Sequence, residues 1–320
     1  MSAAGGPGAS LRRAGRWLSR TLVDPPLPLV AVEVRPRAVA AVRLSREGGR
    51  LSLGAAATAD LPEGALEVSL ARPNLTDPEA FRGALRSALE RAGALSGGDV
   101  SLVLPDPAVR LALLPAEGLK GRRGETEEIL RFRLHKALPS DFDARTARLA
   151  WQPAGPDQVL VAVAGEDVVR GYEDALEALG FRVGLVECAG LALAALEGTG
   201  AAGDGLLVNW DHGYVSFLVR RGTRALLLRT LPREDSRESV ARQAAQTLRF
   251  CREQLGGDGF AEVLVRSAAV PGPEASEVLG SSLGTTPRLV RPWAAVGVLE
   301  DGPAAQAVAG AAACVLRRAA

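Results

Sequence analysis

Apolar positions along this chain fall into two textures: short runs of strand length and longer stretches with helical spacing. The strand texture opens the body. LVAVEV (29–34), AVAAVRL (38–44) and LSLGAAA (51–57), joined by the short turns RPR and SREGGR, predict a three-strand meander. A helix is expected from about Asp77 to Ala94. Thr76 and Glu79 there have capping-box spacing, Pro78 lies in the first turn, and Phe81, Leu85, Ala88, Leu89 and Ala92 form the stripe that would be buried. Two further strands, DVSLVLP and VRLALLP, come next.

From residue 118 the pattern changes. ETEEILRFRLHKALP predicts a charged amphipathic helix stopped by Pro139, and RLAWQ and QVLVAVA predict strands. EDVVRGYEDALEALG predicts a helix with Gly180 as its stop, and FRVGLVE another strand. Residues 118–187 are thus expected to form an α+β unit inserted between the first lobe, 29–117, and a second lobe, 188–320.

The opening pattern then returns. LLVNW, the turn DHG, YVSFLV, the turn RRGTR and ALLLRTL repeat the layout of residues 29–57, which implies a duplicated meander and two similar lobes facing one another. A long helix is expected from about Glu234 to Leu255, then strand AEVLVRS, a helix near 273–283, and a short strand near Arg288–Val290. The chain closes on a small-residue helix from about Ala304 to Arg317 that could return to the first lobe.

Residues 1–28 stand apart. LRRAGRWLSRTLV puts Leu11, Ala14, Leu18 and Leu22 on one helical face with Arg12, Arg13, Arg16 and Arg20 beside it, and Pro25, Pro26 and Pro28 separate it from the body. A basic amphipathic arm of this kind touches a membrane surface or a partner through residues 11–23, or docks on its own domain.

Composition removes several classes. The formal net charge of +1 gives no steering toward nucleic acid. Three scattered cysteines and two histidines offer neither a disulfide framework nor a metal site. No apolar stretch approaches the ~20 residues that span a bilayer. The reading is therefore a cytoplasmic protein. Asp211, His212, Tyr214 and Ser216 do not converge as a hydrolytic cluster, because neighbours on a hairpin alternate faces.

Two meanders, an inserted α+β unit and a last small-residue helix together resemble the actin-like ATPase superfamily. LVAVEVRPRAVAAVRL, EILRFRLHKALPSDFD, VLVAVAGEDVVRGYEDALEALGFRVGLVECAGLALAAL and TLRFCREQLGG resemble, in order and spacing, segments of PilM-like type IV pilus assembly proteins. The resemblance covers residues 29–318. It implies an α/β, bilobal actin-like (ribonuclease H-like) fold and a cleft for Mg-ATP between two hairpins. It also implies a cytoplasmic scaffold lying peripherally at the inner membrane, with a PilN-like membrane partner held by its short cytoplasmic N-terminal peptide, and contact with pilus ATPases.

The nucleotide loops depart from that family pattern. Glu33, Arg35 and Ala40 stand where Asp, Gly and Lys are expected, and Pro36 has no N–H to offer. Asn209, Asp211 and Ser216 replace Asp, Gly and Asp around Gly213, and Asp211 would repel a phosphate. Ser267, Ala268 and Ala269 occupy the adenosine loop. Arg35 and Arg37 would pair with phosphate in place of a metal, or form a solvated turn. The resulting expectation is a degenerate cleft with no metal and no catalytic residues. A divergent ATPase or sugar-kinase relative that still binds nucleotide is the alternative, and a type II secretion component, normally fused to a membrane helix, is a third.

Overall fold

The computed structural model describes residues 28–48, 50–119, 121–135, 138–139, 142–196, 203–232, 236–298 and 300–316. The arm at 11–23 lies outside them. The first meander is β1 (Val30–Arg35), β2 (Ala38–Glu47) and β3 (Arg50–Asp60). Then follow α1 (Pro78–Arg91), β4 (Gly98–Leu104), a 3-10 turn at Asp106–Ala108, β5 (Arg110–Pro115), α2 (Arg123–Leu134), β6 (Arg148–Pro153) and β7 (Gln158–Ala164). The chain continues with α3 (Glu166–Glu177), β8 (Phe181–Cys188) and α4 (Ala189–Leu196). The second meander is β9 (Asp204–Asp211), β10 (Tyr214–Arg221) and β11 (Arg224–Pro232). It is followed by α5 (Arg237–Gln254), β12 (Phe260–Ser267), α6 (Gly272–Leu283), β13 (Arg288–Leu289), α7 (Pro303–Ala307) and α8 (Ala309–Leu316).

The duplication is literal in the pairing. One sheet has the order β3-β2-β1-β4-β8 and the other β11-β10-β9-β12-β13. In each, the meander is antiparallel and its first strand lies parallel to a later one, β1 to β4 and β9 to β12. The sheets stack through a shared middle layer. α4 and α8, built almost wholly from small and apolar residues, bury between them together with Ala31, Val42, Leu207 and Leu264. α1 and α3 cover the outer face of the first sheet, and α5 and α6 that of the second. Small side chains let two sheets and two helices approach closely enough to form one continuous core.

Residues 118–187, read from the sequence as one inserted unit, divide between two sheets. β5, β7 and β6 form their own antiparallel sheet, covered by α2 through Leu130 and Leu134. α3 instead places Val168, Tyr172 and Leu176 in the first lobe's core, and β8 joins β4 in parallel. The passage β7–α3–β8 thus leaves one sheet and enters another, and the apolar faces of α3 and β8 decide which sheet they join.

Two local expectations also change. The cap of α1 is Asp77, whose Oδ1 accepts from the N–H groups of Glu79 at 3.1 Å and Ala80 at 3.0 Å, while the Thr76 hydroxyl bonds the Gly64 carbonyl. Pro78 as the first helical residue fixes that start. The single C-terminal helix is two, broken at Val308, for a reason that appears in the cleft.

Candidate functional site

Of the sequence-predicted cleft residues, Glu33, Arg35, Asn209 and Asp211 converge where the two hairpins meet, joined by hydrogen bonds that run largely through Arg266. Glu33 and Arg35 project from the end of β1, Asn209 and Asp211 from β9, and Arg266 from β12. Arg35 forks onto Asp211, with Nε to Oδ2 at 2.8 Å and Nη2 to Oδ1 at 3.0 Å. Arg266 donates from Nη1 to Asp211 Oδ2 at 2.8 Å and from Nη2 to Glu33 Oε1 at 2.9 Å. Its Nη1 also reaches Asn209 Oδ1 at 3.0 Å. Asn209 Nδ2 in turn donates to Asp106 Oδ2 at 2.9 Å. Three of these links, Arg35–Asp211, Arg266–Glu33 and Asn209–Asp106, cross from one lobe to the other. Glu33, Asp211 and Arg266 are wholly buried and Arg35 nearly so.

The interlobe helices complete the network. At the break before α8, the carbonyls of Gln306 and Ala307 leave the helical ladder and accept from Arg266 Nε at 3.0 Å and Arg35 Nη1 at 3.2 Å. A continuous helix would spend those carbonyls on its own N–H groups. Each carboxylate of the first lobe meets a helix start, where backbone N–H groups lack internal partners. Glu33 accepts from Ala311 N–H in α8 at 3.2 Å, and Asp106 from Gly190 N–H in α4 at 2.7 Å. Gly310 permits the first contact, since a Cβ there would stand 2.6 Å from the Glu33 carboxyl carbon.

Electrostatics separates the three acids. Burial raises the pKa of Asp211, but the guanidiniums of Arg35 and Arg266 outweigh it and hold that carboxyl well below its usual range. Burial pushes Glu33 up against the pull of Arg266 and Arg35. It pushes Asp106 up too, against the Gly190 N–H and the side chains of Ser216 and Asn209. Two guanidiniums face three carboxylates, and Asp106 is the one that neither guanidinium touches.

Several sequence expectations are corrected here. Arg35 is not a solvated turn residue: it is buried, with Nε and Nη2 donating to Asp211 and Nη1 to the Ala307 carbonyl, while Arg37 is exposed on the turn. Asp211 serves as the anchor of two arginines. Gly213 makes the hairpin turn at φ 74°. Ser216 pairs with Thr230 at 3.0 Å, outside the arginine network. Ser267 is tied through its N–H to Gln306 Oε1 at 3.2 Å and through its hydroxyl to Val270 O at 2.7 Å. Arg266, Asp106 and Gln306 were not anticipated. Arg266 had a legible signal, a charge directly after the apolar run VLV of strand AEVLVRS, since a buried charge must find a partner.

Two cavities flank this network. One, of roughly 670 Å³, lies between the 68–72 loop, the 3-10 turn and β10–β11, with Asp106, Asn209, Ser216 and Thr230 on its wall. The other, of roughly 360 Å³, is mostly apolar and opens between β6 and the end of β8. Both β6 and β8 are edge strands. Trp151, Leu149, Val169, Val186 and Leu191 line it, and Arg148 braces it by donating from Nε to Glu166 at 2.7 Å and from Nη2 to Glu173 at 2.7 Å.

Comparison with solved structures settles the architecture. A chain of the PilM–PilN type IV pilus biogenesis complex superposes with a TM-score of 0.74 over 91% of this chain and 99% of that one, at 20% identity. A Bacteroides thetaiotaomicron protein of unknown function with an actin-like ATPase fold superposes at 0.52 over 82% and 90%, at 8% identity. The fold is actin-like. No family model matches the chain, and no curated protein matches it. Against the actin-like plan, β1–β2 and β9–β10 are the paired hairpins of the interlobe cleft, and the buried arginine network lies between their ends. Among the described residues no helix is long and apolar enough to cross a membrane, and no group of three or more His, Cys, Asp or Glu side chains is placed to hold a metal.

Proposed function

We propose that this protein is a cytoplasmic scaffold of a type IV pilus or related secretion assembly, holding an inner-membrane partner instead of hydrolysing nucleotide. The observation that carries the reading is the closure of the cleft by its own side chains. Mg-ATP needs carboxylates open toward a metal and N–H groups open toward phosphate. Here both carboxylates at the strand ends, Glu33 and Asp211, are bonded to guanidiniums. Removing one partner of such a buried pair strands the other, at about 3–5 kcal/mol. A nucleotide would have to displace the whole set.

The partner reading rests on the groove between β6 and β8. Two open strand edges with an apolar floor suit an extended peptide, which gains main-chain hydrogen bonds along the edge and side-chain pockets beneath it. The likeness to the PilM–PilN complex suggests whose peptide it is: the short N-terminal cytoplasmic segment of a single-pass, PilN-like protein. Calorimetric titration of that segment, taken from a PilN-like protein of the same organism, is expected to give saturable binding that Trp151→Ala weakens at least tenfold. No binding to any such segment would end the proposal.

A divergent nucleotide-binding relative is the second reading, favoured by the larger cavity, whose volume suits a small ligand. Thermal unfolding with millimolar ATP, with and without Mg²⁺, separates the two. The scaffold reading expects no rise in Tm, and a rise of several degrees would support the nucleotide reading.

A further inference from the structure

The described chain begins beside the peptide groove. Pro28 packs on β8, its Cγ standing 3.5 Å from where a Cβ at Gly184 would lie. Gly184 sits at the irregularity in the β4–β8 pairing, three residues before Glu187 at the groove. Three strand residues span about 10 Å. The five residue-to-residue steps from Val23 to Pro28 extend to about 17 Å. The basic amphipathic segment at 11–23 is therefore tethered within reach of the groove on its own chain.

Its chemistry matches what surrounds that groove. The groove offers Leu149, Trp151, Val169, Val186 and Leu191 to an apolar stripe, and the segment carries Leu11, Trp17, Leu18 and Leu22. α3, which supplies one wall, bears Glu166, Asp167, Glu173, Asp174 and Glu177; Arg148 and Arg170 neutralise Glu166 and Glu173, and Asp167, Asp174 and Glu177 stay exposed. The segment carries four arginines and no acid.

We propose that residues 11–23 seat in the groove between β6 and β8, so that this arm and the peptide of an assembly partner compete for one site. The inference rests on the groove being the peptide site of the proposed function. The tether sets an effective concentration in the millimolar range, so even a weak segment occupies the groove against a dilute competitor. Partner binding then requires the arm to be released, which makes groove access conditional on where the arm goes.

The test uses the arm itself. A fluorescein-labelled peptide of residues 8–27 is titrated by anisotropy into the chain lacking residues 1–27 and into the full chain. Binding to the shortened chain, at least tenfold weaker binding to the full chain, and loss with a peptide carrying Trp17→Ala and Leu18→Ala are expected. Added salt is expected to weaken it, since the arginine contacts are exposed. A photo-crosslinking residue at position 17 of the full chain is expected to link to β6 or α3 of the same molecule. Equal affinity for both chains, no binding, or a peptide that only co-sediments with phosphatidylglycerol vesicles would overturn the inference. None of those results bears on whether the partner's own peptide binds, which the separate calorimetric titration decides.

Discussion

At the residue scale, the chemistry turns on Arg266 and Asn209. Among the described residues, Arg266 is the one side chain that bonds to both Glu33 and Asp211, acids of opposite lobes. Arg266→Met is expected to lower unfolding free energy by about 3–5 kcal/mol in urea titrations, because two buried carboxylates lose a shared cation. Asn209 accepts from Arg266 through Oδ1 and donates to Asp106 through Nδ2, a pair of roles an ionised carboxylate cannot fill. Asn209→Asp, which restores the acid expected of a working cleft, sets a carboxylate against Asp106 and is expected to destabilise the fold as well.

The pH dependence follows from the same residues. Asp211 is held below its ordinary value of 3.8, so its contribution is complete above that value and is lost as the pH falls below it. Asp106 is raised above 3.8, so its contribution is complete below that value and is lost as the pH rises through the folded-state pKa. The stability difference between wild type and Asp106→Asn should therefore move in the variant's favour as pH rises from about 4. A pH series of urea titrations reads this directly, and a constant difference would contradict it.

At the element scale, the break between α7 and α8 is the decisive feature. An alanine-rich stretch has every local reason to run on as one helix. It stops because Gln306 and Ala307 give their carbonyls to two buried guanidiniums, and it restarts so that Ala311 can meet Glu33. Gly310 sits at that restart. Gly310→Ala would ordinarily favour a helix by up to ~1 kcal/mol. Here the added methyl meets the Glu33 carboxylate, and a net loss of about 1–3 kcal/mol is expected in the same denaturant assay. Gly83 in α1, with nothing within 4 Å of its Cβ position, is the control: Gly83→Ala should be neutral or stabilising.

At the scale of the molecule, the links Arg35–Asp211, Arg266–Glu33 and Asn209–Asp106 hold the lobes in one arrangement, with α4 and α8 packed between the sheets. The core joins both sheets through one apolar layer. X-ray scattering of the full chain is accordingly expected to give the same radius of gyration with and without millimolar Mg-ATP. A measurable contraction would show that the lobes retain a nucleotide-driven hinge.

How far residues alone reach depends on the range of the forces involved. The two meanders, the crossover helices and the faces they bury were legible because apolar period and turn chemistry are local, and a repeat of that pattern implies paired lobes. The unusual loops were legible too, as Arg35, Pro36, Asn209 and Asp211 stand in the sequence for anyone to read. Their meaning was not. Arg35 and Asp211 are 176 positions apart, and Glu33 and Arg266 are 233 apart. No periodicity connects residues at that separation. Only the tertiary structure, by bringing two hairpin ends and a broken helix to one dry point, made opposite charges neighbours where the energy of each depends on the other. The same holds for the groove, whose walls β6 and β8 belong to different sheets. Sequence determined the parts and their order, and the fold decided which of them share an environment without water.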